Sequence, residues 1–472
     1  MSQSLSRTQV KQVERSLRRS SWEGMTFGGM TGFGDSLLGA YAVALKASAF
    51  EIGLLSAVAS LLGAIGNVFS FRLARALGTR RRVILLFAAL QGTMWLPIVA
   101  LGGINSANTA LYLVAFAGLY TGFGAIVTPC WNSIMGEMLP PRLRGRYFGL
   151  RSRYTTLSTM LSALAGGVMV FLLRDHGLVG FFIAFLAASG FRAFSVLLLS
   201  SLFELHSDMK SEQGVSLRTF ARDLPRSNLG RAMLFIMAMS FVVNLAGPQF
   251  TPYMLRELGM SYLLFSVMGV ATAFGTVLTV THWGYAADKV GNRRLLTIAG
   301  VLVSAVPLLW LVTPNKAFLL LVQFYSGVAW AGFNLTSANF LFDATTERNR
   351  TAYLALFNTG AGLSAMAGAL LGGVIVGHLP ALLGSSILAL FAVSGGLRLA
   401  VALGFAPFIR EVRRVAPLSN LEVFHLMLAG KPAHLHTSQG RIYRMHIPVT
   451  GAHPLVNPRV ADEDVERVLG FS

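Results

Sequence analysis

The first long apolar stretch of the chain contains an acidic residue, Asp35, about 11 residues after Gly24. The stretch is near full membrane-spanning length, so the carboxylate lies near the middle of the bilayer. A charged side chain there costs roughly 2.5–3.5 kcal/mol on insertion scales, and it must face a helix bundle or water. Two interpretations remain open: an acid that binds a proton or a cation, or a structural partner for an arginine such as Arg192.

The composition places the chain in a lipid bilayer. Of 472 residues, 54% are hydrophobic and 12% are charged, which is too little charge for the surface of a water-soluble protein of this size. A spanning helix needs about 20 apolar residues, and lipid offers the backbone no hydrogen-bond partners, so helices are required. The predicted spans are 24–46, 51–73, 83–104, 108–135, 148–173, 178–203, 232–255, 262–283, 295–313, 317–342, 351–377 and 381–409.

The formal net charge of +19 is a topology signal. Most of the 39 Lys and Arg residues fall before the first span or in loops on the same side of the membrane. Only Lys46, Arg174, Arg256 and Lys316 fall in the loops on the other side. Because basic loops remain in the cytoplasm, both termini are predicted to be cytoplasmic, and nucleic-acid binding is disfavoured. The one cysteine, Cys130, excludes an internal disulfide and is predicted to be a packing residue.

The spans and loops divide the chain into five parts. These are a cytoplasmic N-terminal segment (1–23), a first six-helix half (24–203), a cytoplasmic linker with an amphipathic helix (204–230), a second six-helix half (231–409) and a cytoplasmic tail (410–472). Val10, Val13 and Leu17 form an apolar stripe before the first span, which indicates either a helix on the inner leaflet or a disordered basic tail. A short helix is also predicted in the tail.

Two local patterns predict how the spans are built. Gly24, Gly28 and Gly32 recur at four-residue spacing, which is typical of a face where helices pack closely. Ser48 and Glu51 have the spacing of a capping box at the start of the second span.

The two halves of the chain repeat each other. At an offset of 206 residues, acidic, basic and aromatic residues of the first half fall on similar residues of the second half. The pairs are Glu137 and Asp343, Arg142 and Arg348, Arg144 and Arg350, and Tyr147 and Tyr353; at a slightly larger offset, Gly78 and Arg80 fall on Gly291 and Arg293. Repeats of this kind are typical of transporters, so the chain is predicted to be a parallel duplication with six spans in each half.

Residues 20–410 resemble the major facilitator superfamily. The family signature for the loop between the second and third spans of a half is Gly-x-x-x-Asp-(Arg/Lys)-x-Gly-x-(Arg/Lys)-(Arg/Lys). The second half matches it with Gly284, Asp288, Lys289, Gly291, Arg293 and Arg294. The resemblance implies an all-α membrane protein of twelve transmembrane helices in two pseudo-symmetric six-helix halves. It also implies alternating access, in which the halves rock about a central site.

The signature implies a cytoplasmic gate. Gly284 is predicted to allow close helix approach, and Asp288 to pair with arginines or a helix N-terminus, unless it is a solvated loop acid. The first half departs from the signature because Arg75 replaces the acid, so we predict that Arg75 pairs with Glu137. The predicted gate residues are Gly284, Asp288, Gly291, Arg293, Arg75, Gly78, Arg80, Glu137, Arg144, Asp343 and Arg350.

In this family the first, fourth, seventh and tenth spans line the cavity. The candidate cavity residues in those spans are Phe33, Tyr41, Tyr120, Phe123, Trp131, Asn244, Gln249, Gln323, Trp330 and Asn334. Aromatic rings with a few amides suit an uncharged or amphiphilic small molecule better than a dianion. The antiporter signature of the fifth span lacks its proline at 162–167, which disfavours proton-coupled drug antiport.

These features predict a secondary transporter that moves a small organic solute across the cytoplasmic (inner) membrane as a multi-pass monomer. Asp35 is the candidate for proton or cation coupling; no other cofactor and no metal is expected. The alternatives are a proton-coupled exporter of hydrophobic compounds and a transporter-like sensor that signals through its tail. Enzyme activity is not expected, because no nucleophile or metal-ligand cluster lies at one depth and no phosphate-binding motif is present. The expected partners are the substrate and the lipid bilayer.

Overall fold

The computed structural model describes residues 7–104, 106, 108–139, 141–204, 220, 222–345 and 350–412. The first half is built of α-helices joined by short connections. Its helices are α1 (Arg7–Phe33), α2 (Asp35–Ala44), α3 (Ala49–Leu77), α4 (Arg80–Thr93), α5 (Trp95–Ala100), α6 (Thr109–Met138), α7 (Pro141–Leu172) and α8 (Val179–Leu199), with 3-10 turns at Leu101–Gly103 and Arg174–His176.

The second half repeats this arrangement. Its helices are α9 (Asn228–Ala246), α10 (Tyr262–Val290), α11 (Asn292–Leu309), α12 (Lys316–Asp343), α13 (Arg350–Ile375) and α14 (Ser386–Phe405). Short helical segments of 3-10, α and π type continue α9 at Gly247–Gln249, Phe250–Pro252 and Tyr253–Glu257. Within the described residues, 11 helical segments are long and apolar enough to cross a membrane, and they coincide with the second to twelfth predicted spans. The predicted all-helical membrane fold is confirmed.

The first predicted span, 24–46, is divided between α1 and α2. The chain bends at Gly34, where a side chain would overlap the indole ring of Trp95. Helix α2 then begins at Asp35. A carboxylate in the first turn of a helix interacts favourably with the unpaired backbone N–H groups there. The bend therefore places Asp35 at a helix start within the membrane.

The segment before the first span is part of α1. Val13 and Leu17 are fully buried, in one hydrophobic cluster with Ile84 and Met138. The hydroxyl of Tyr147 also donates to the carbonyl oxygen of Leu17 at 3.0 Å. Both expectations for this segment are therefore wrong: it neither lies on the leaflet nor forms a disordered tail, because its apolar face is covered by the bundle. The side chain of Val10 lies outside the described part.

The glycine stripe of α1 packs against α7. Methyl groups at Gly28 and Gly32 would collide with the carbonyl oxygens of Thr155 and Thr159. The backbones of the two helices therefore approach closely, as predicted.

The capping box at the start of α3 is also confirmed. The Ser48 amide donates to Glu51 Oε2 at 2.7 Å, and the Glu51 amide donates to Ser48 Oγ at 3.2 Å. Farther along α3, Ser70 packs against Cys130, which is buried as predicted.

Most of the predicted linker and the predicted tail helix lie outside the described residues. Of the linker's apolar face, Phe220 is buried and its ring centroid lies 5.9 Å from that of Tyr353. This linker residue therefore packs on the second half.

The two halves meet at one end of the bundle. We call it the closed end (residues 39–64, 249–266 and 362–373), and we call the opposite end, which carries the signature loops, the basic end (residues 72–82 and 288–294). At the closed end, a methyl group at Gly53 would lie 2.6 Å from the carbonyl oxygen of Ala369. Backbones of opposite halves are therefore in direct contact there.

Candidate functional site

A cavity of ≈ 730 Å³ lies among the helices of the first half. All of its lining residues belong to that half, on α1 to α4 and α6 to α8. Four acidic or basic side chains line it: Glu23, Asp35, Arg151 and Arg192. Charged groups at membrane depth mark functional pathways, so this cavity is the candidate site.

Glu23 is held between two arginines. Its Oε2 lies 2.6 Å from Arg151 Nη2, and its Oε1 lies 3.8 Å from Arg192 Nη1. Ser195 joins the group, since its hydroxyl donates to Glu23 Oε1 at 2.9 Å and accepts from Arg192 Nη1 at 3.0 Å. One carboxylate and two guanidinium groups leave this cluster with a net charge of about +1.

Sequence reasoning missed Glu23. The residue lies beside Gly24, at the edge of the first predicted span, where an acidic residue is expected to be in a solvated loop. Its burial, with 4% of its surface exposed, depends on Arg151 and Arg192 from distant helices. The signal available in the sequence was Arg192 within a span, because an arginine there requires a partner.

Asp35 faces the cavity and forms no ion pair with any residue that the structure describes. Its side chain is exposed, and the hydroxyl of Tyr120 lies close enough to interact with both Asp35 and Gln91. Arg192 acts on Asp35 through space, but the ion pair of Arg192 is with Glu23. The interpretation of Asp35 as a structural ion-pair partner of Arg192 is therefore wrong. Its coupling role stays a prediction.

Aromatic rings form apolar walls beside these charges. The guanidinium of Arg151 lies over the ring of Trp131, 4.2 Å from its centroid, and that of Arg192 lies 5.3 Å from the centroid of Phe27. Cations bind the faces of aromatic rings, so these contacts hold the two guanidinium groups against the wall. The cavity therefore combines charged and apolar surfaces.

A second cavity, of ≈ 260 Å³, lies between the halves near the closed end. Ser36 and Thr159 of the first half face Thr251, Ser266 and Gln323 of the second half across it. Since Ser36 follows Asp35 in sequence, this cavity is next to the acid. The smaller cavity therefore lies on the expected path between the halves.

The candidate cavity residues divide into two groups. Tyr120 and Trp131 line the larger cavity and Gln323 lines the smaller one. The residues that line neither of these two cavities are Phe33, Tyr41, Phe123, Asn244, Gln249, Trp330 and Asn334.

Tyr41 and Gln249 are wrong as cavity residues, because both are fully buried in protein contacts. The Tyr41 hydroxyl donates to the carbonyl oxygen of Ile98 at 3.1 Å, and its ring packs on aromatic residues of α8. Gln249 Nε2 donates to the carbonyl oxygen of Ala49 at 2.9 Å, across the two halves. An aromatic or amide residue within a span does not show by its type which face of the helix it occupies.

At the basic end of the first half, Arg80 binds two acids. Its guanidinium donates to both oxygens of Glu137, at 2.5 and 2.8 Å, and its Nε donates to Glu204 at 2.9 Å. The predicted Arg75–Glu137 pair is wrong in this structure, since the side chain of Arg75 is exposed. Arg80 begins α4 beside α6, so its side chain reaches the end of α6.

The second glycine of each signature loop has a backbone role. Gly78 has φ 81° and Gly291 has φ 88°, in the left-handed region that favours glycine. Both residues end a helix and allow the next helix to begin. Gly284 behaves differently, because a methyl group there would meet only Leu335, at 3.7 Å. The prediction that Gly284 is needed for close helix approach is wrong.

The second half forms its own version of the basic-end cluster. Asn292 Nδ2 donates to Asp343 Oδ2 at 2.7 Å, and Arg293 Nη2 donates to the carbonyl oxygen of Ala406 at 2.9 Å. Asp288 lies in the last turn of α10 with an exposed side chain, and its gate role stays a prediction. The side chains of Arg144 and Arg350 lie outside the described part.

An acid after the last helix of each half caps the third span of that half. Glu204 accepts from the Arg80 and Arg81 amides at 3.2 Å each, and Glu411 accepts from the Arg293 amide at 2.8 Å. Unpaired N–H groups at a helix start favour such a carboxylate. Sequence reasoning missed both acids, although their separation of 207 residues is close to the offset of the repeat.

At the closed end, Arg256 joins the halves. Its Nη2 donates to the carbonyl oxygens of Ala47, at 2.6 Å, and Val43, at 3.3 Å. The Val43 carbonyl lies in the last turn of α2 and the Ala47 carbonyl lies just after it, where backbone carbonyls lack the regular helical donors. A cation at a helix C-terminus is favourable, so Arg256 fastens the second half to the end of the first span.

Comparison with known proteins agrees with this architecture. Residues 232–426 match the sequence profile of the Major Facilitator Superfamily. The match covers most of the second half of the chain. The chain is 23% identical over 306 residues to the uncharacterized MFS-type transporter MJ1317 of Methanocaldococcus jannaschii, which covers 63% of this chain and 72% of the relative.

Two solved major facilitator structures share the fold. The nucleoside transporter NupG superimposes with a TM-score of 0.64 at 14% identity, covering 84% of this chain and 99% of its own. The xylose transporter XylE from E. coli superimposes with a TM-score of 0.62 at 14% identity, covering 86% and 100%. The family profile in the second half and these structural neighbours indicate a multi-pass membrane transporter and not an enzyme.

Proposed function

We propose that the protein is a secondary transporter that carries a small organic solute across the cytoplasmic membrane by alternating access. The basic end faces the cytoplasm in this proposal, because the loops there carry the arginines. The larger cavity is the substrate site. Its volume of ≈ 730 Å³ falls in the usual range for small-molecule sites.

The asymmetry of the two ends carries the proposal. At the closed end, Arg256 and Gln249 of the second half donate to backbone carbonyls of the first half. At the basic end, the pairs formed by Arg80, Asn292 and Arg293 each join helices of one half. Rocking of rigid halves can therefore break the closed-end contacts while each basic-end cluster stays intact.

Asp35 is the proposed coupling residue. It is the cavity acid without an ion pair among the described residues, so a proton or a cation changes the charge of the site when it binds there. Export of hydrophobic compounds driven by protons is the second candidate, supported by the aromatic wall at Trp131 and Phe27. A ligand sensor is the third, and it differs in that it binds without moving solute.

A disulfide across the halves tests alternating access. A Cβ atom on Gly39 would lie 3.7 Å from the Cβ of Thr251, close to the mean of about 3.8 Å in disulfides. We expect Gly39→Cys/Thr251→Cys, in a Cys130→Ala background, to form a bond that holds the closed end shut. Proteoliposomes loaded with a small-solute cell extract should release at least one solute, as measured by mass spectrometry. Oxidation of the cysteine pair should stop this release. Reduction should restore it.

The matched control is a pair within one half. A Cβ atom on Gly118 would lie 3.8 Å from that of Val58, so Val58→Cys/Gly118→Cys joins α6 to α3 at the same spacing. Oxidation of this pair should leave solute loss unchanged. Equal inhibition by both disulfides contradicts rocking of rigid halves. Binding of a solute by a protein that releases none from vesicles favours the sensor.

A further inference from the structure

The larger cavity contains a carboxylate, that of Asp35, with no ion-pair partner in the part of the chain that the structure describes. Asp35 is exposed to the cavity and forms no ion pair within the described residues. Its hydrogen-bonding neighbours are the hydroxyl of Tyr120 and, through it, the amide of Gln91, which are both uncharged, and Arg192 acts on it through space without an ion pair. An exposed carboxylate whose hydrogen-bonding partner is neutral favours a ligand that brings a positive charge or strong hydrogen-bond donors.

Arg192 lines the same cavity, and one of its donors has no partner in the described part of the chain. Arg192 is 2% exposed, and its Nε–H has no hydrogen-bond partner among the described residues. Its Nη1 donates to Ser195, and its ion pair with Glu23 is long, at 3.8 Å. A buried guanidinium normally fills its donors, and a planar pair of N–H groups matches a carboxylate. The Nε atom itself is buried, but Arg192 lines the cavity, and its unfilled donor capacity favours an anionic group there.

The charges of the cavity form a dipole. Glu23, Arg151 and Arg192 together carry about +1, and Asp35 carries −1. A ligand with one charge would neutralise one end of this dipole and leave the other end unpaired in a low-dielectric site, which is costly. A ligand with both charges satisfies both ends.

We propose that the substrate is a small zwitterion with an apolar side group, such as an α-amino acid, oriented between Asp35 and Arg192. This proposal rests on the proposed transport function. The ammonium group binds Asp35, the carboxylate binds Arg192, and the apolar group packs on the aromatic wall of Phe27 and Trp131. In such a ligand the two charged groups are separated by one carbon. With a charged hydrogen bond of about 2.7–2.9 Å at each end, the ligand can bridge two side chains that do not touch.

A matched ligand set tests the proposal on the purified full-length protein. The probes are L-phenylalanine, phenethylamine, 3-phenylpropionate and 2-phenylethanol, which share the ring and carry both charges, one charge of either sign or none. L-leucine, L-valine and the dipeptide Ala-Phe extend the zwitterion set. We expect at least one zwitterion to bind, by isothermal titration, at least about tenfold more tightly than each of the three charge-deleted probes.

Two variants assign the charged ends. Asp35→Asn should lower the affinity for the zwitterion about tenfold and leave the affinity for 3-phenylpropionate unchanged. Its control is Asp175→Asn, which changes an exposed acid outside the cavity.

Arg192→Gln should lower the affinity for the zwitterion and leave the affinity for phenethylamine unchanged. Its control is Arg398→Gln, at the matched position of the second half, where the guanidinium donates to backbone carbonyls. If Arg192→Gln does not fold, Asp35→Asn and the probe ranking decide.

Two results overturn the zwitterion proposal. One is a charge-deleted probe that binds as tightly as every zwitterion, and the other is the absence of binding by all zwitterions tested. Either result leaves alternating access standing if the Gly39–Thr251 disulfide still stops solute loss. Conversely, tight zwitterion binding by a protein that releases no solute contradicts transport and leaves the ligand class intact.

Discussion

Arg80 and Glu137 form a two-point ion pair at the basic end, with N–O distances of 2.5 and 2.8 Å. Arg80 is 4% exposed and Glu137 is 26% exposed, so the pair is largely shielded from water. Removal of one member of a fully buried ion pair costs about 3–5 kcal/mol, because a charge is left unpaired away from water.

We expect Glu137→Gln to destabilise the protein by about 2 kcal/mol, less than for a fully buried pair because Glu204 still neutralises Arg80. The midpoint of thermal unfolding in detergent measures the loss. Arg75→Ala is the control, since Arg75 is exposed, and its effect should stay within about 0.5 kcal/mol. A larger loss of stability from Arg75→Ala than from Glu137→Gln would show that Arg75, at the signature position, and not Arg80, pairs with Glu137.

The signature glycines should differ in their tolerance of a side chain. Gly291→Ala places a methyl group at φ 88° and against the carboxylate of Glu411, so we expect a loss of at least about 1–2 kcal/mol. Gly284→Ala meets only Leu335, at ordinary contact distance, and should be neutral. Thermal unfolding of the two variants in parallel checks this order, and equal losses would contradict it.

The architecture was predictable because its signals are local. Twenty apolar residues in a row, basic residues in alternate loops and a constant offset between repeats each depend on one stretch or one comparison. The capping box of Ser48 and Glu51 and the close packing at Gly28 and Gly32 likewise need only short-range sequence.

The charge partners were not predictable, because they depend on which helices become neighbours. Arg75 and Arg80 are five residues apart on either side of a helix break, and the break decides which of them reaches Glu137. The partners of Glu23 likewise depend on helix packing, since they lie on α7 and α8. The acid of an ion pair can be found in the sequence, but its arginine requires the packed structure.

Arg256 should hold the closed end shut. Its Nη2 makes hydrogen bonds with two carbonyls of the first half, and a hydrogen bond to a charged group contributes about 1.5–3 kcal/mol. We expect Arg256→Ala to shift the equilibrium toward opening of this end by roughly ten- to hundredfold. The modification rate of Gln323→Cys, in a Cys130→Ala background, by a membrane-impermeant thiol reagent measures the shift.

Arg174→Ala is the matched control for this measurement. Arg174 also lies beyond the membrane on the closed-end side, but its guanidinium is about half exposed and pairs with the adjacent Asp175 at 3.8 Å. Its removal should leave the modification rate of Gln323→Cys unchanged. A rate that rises equally in both arginine variants would assign the effect to loss of surface charge.

Asp35 should set the pH dependence of the transporter. As the pH falls, its carboxylate takes up a proton and the cavity loses the negative end of its dipole, so binding of a ligand ammonium group should weaken at low pH. Asp35→Asn has the neutral form at every pH, so its affinity should be low and independent of pH wherever the ligand itself does not titrate. Titrations across the pH range, with Asp175→Asn as the control for an exposed acid, measure this difference. Unchanged pH dependence in Asp35→Asn would move the responsible group to Glu23, the other carboxylate that lines the cavity.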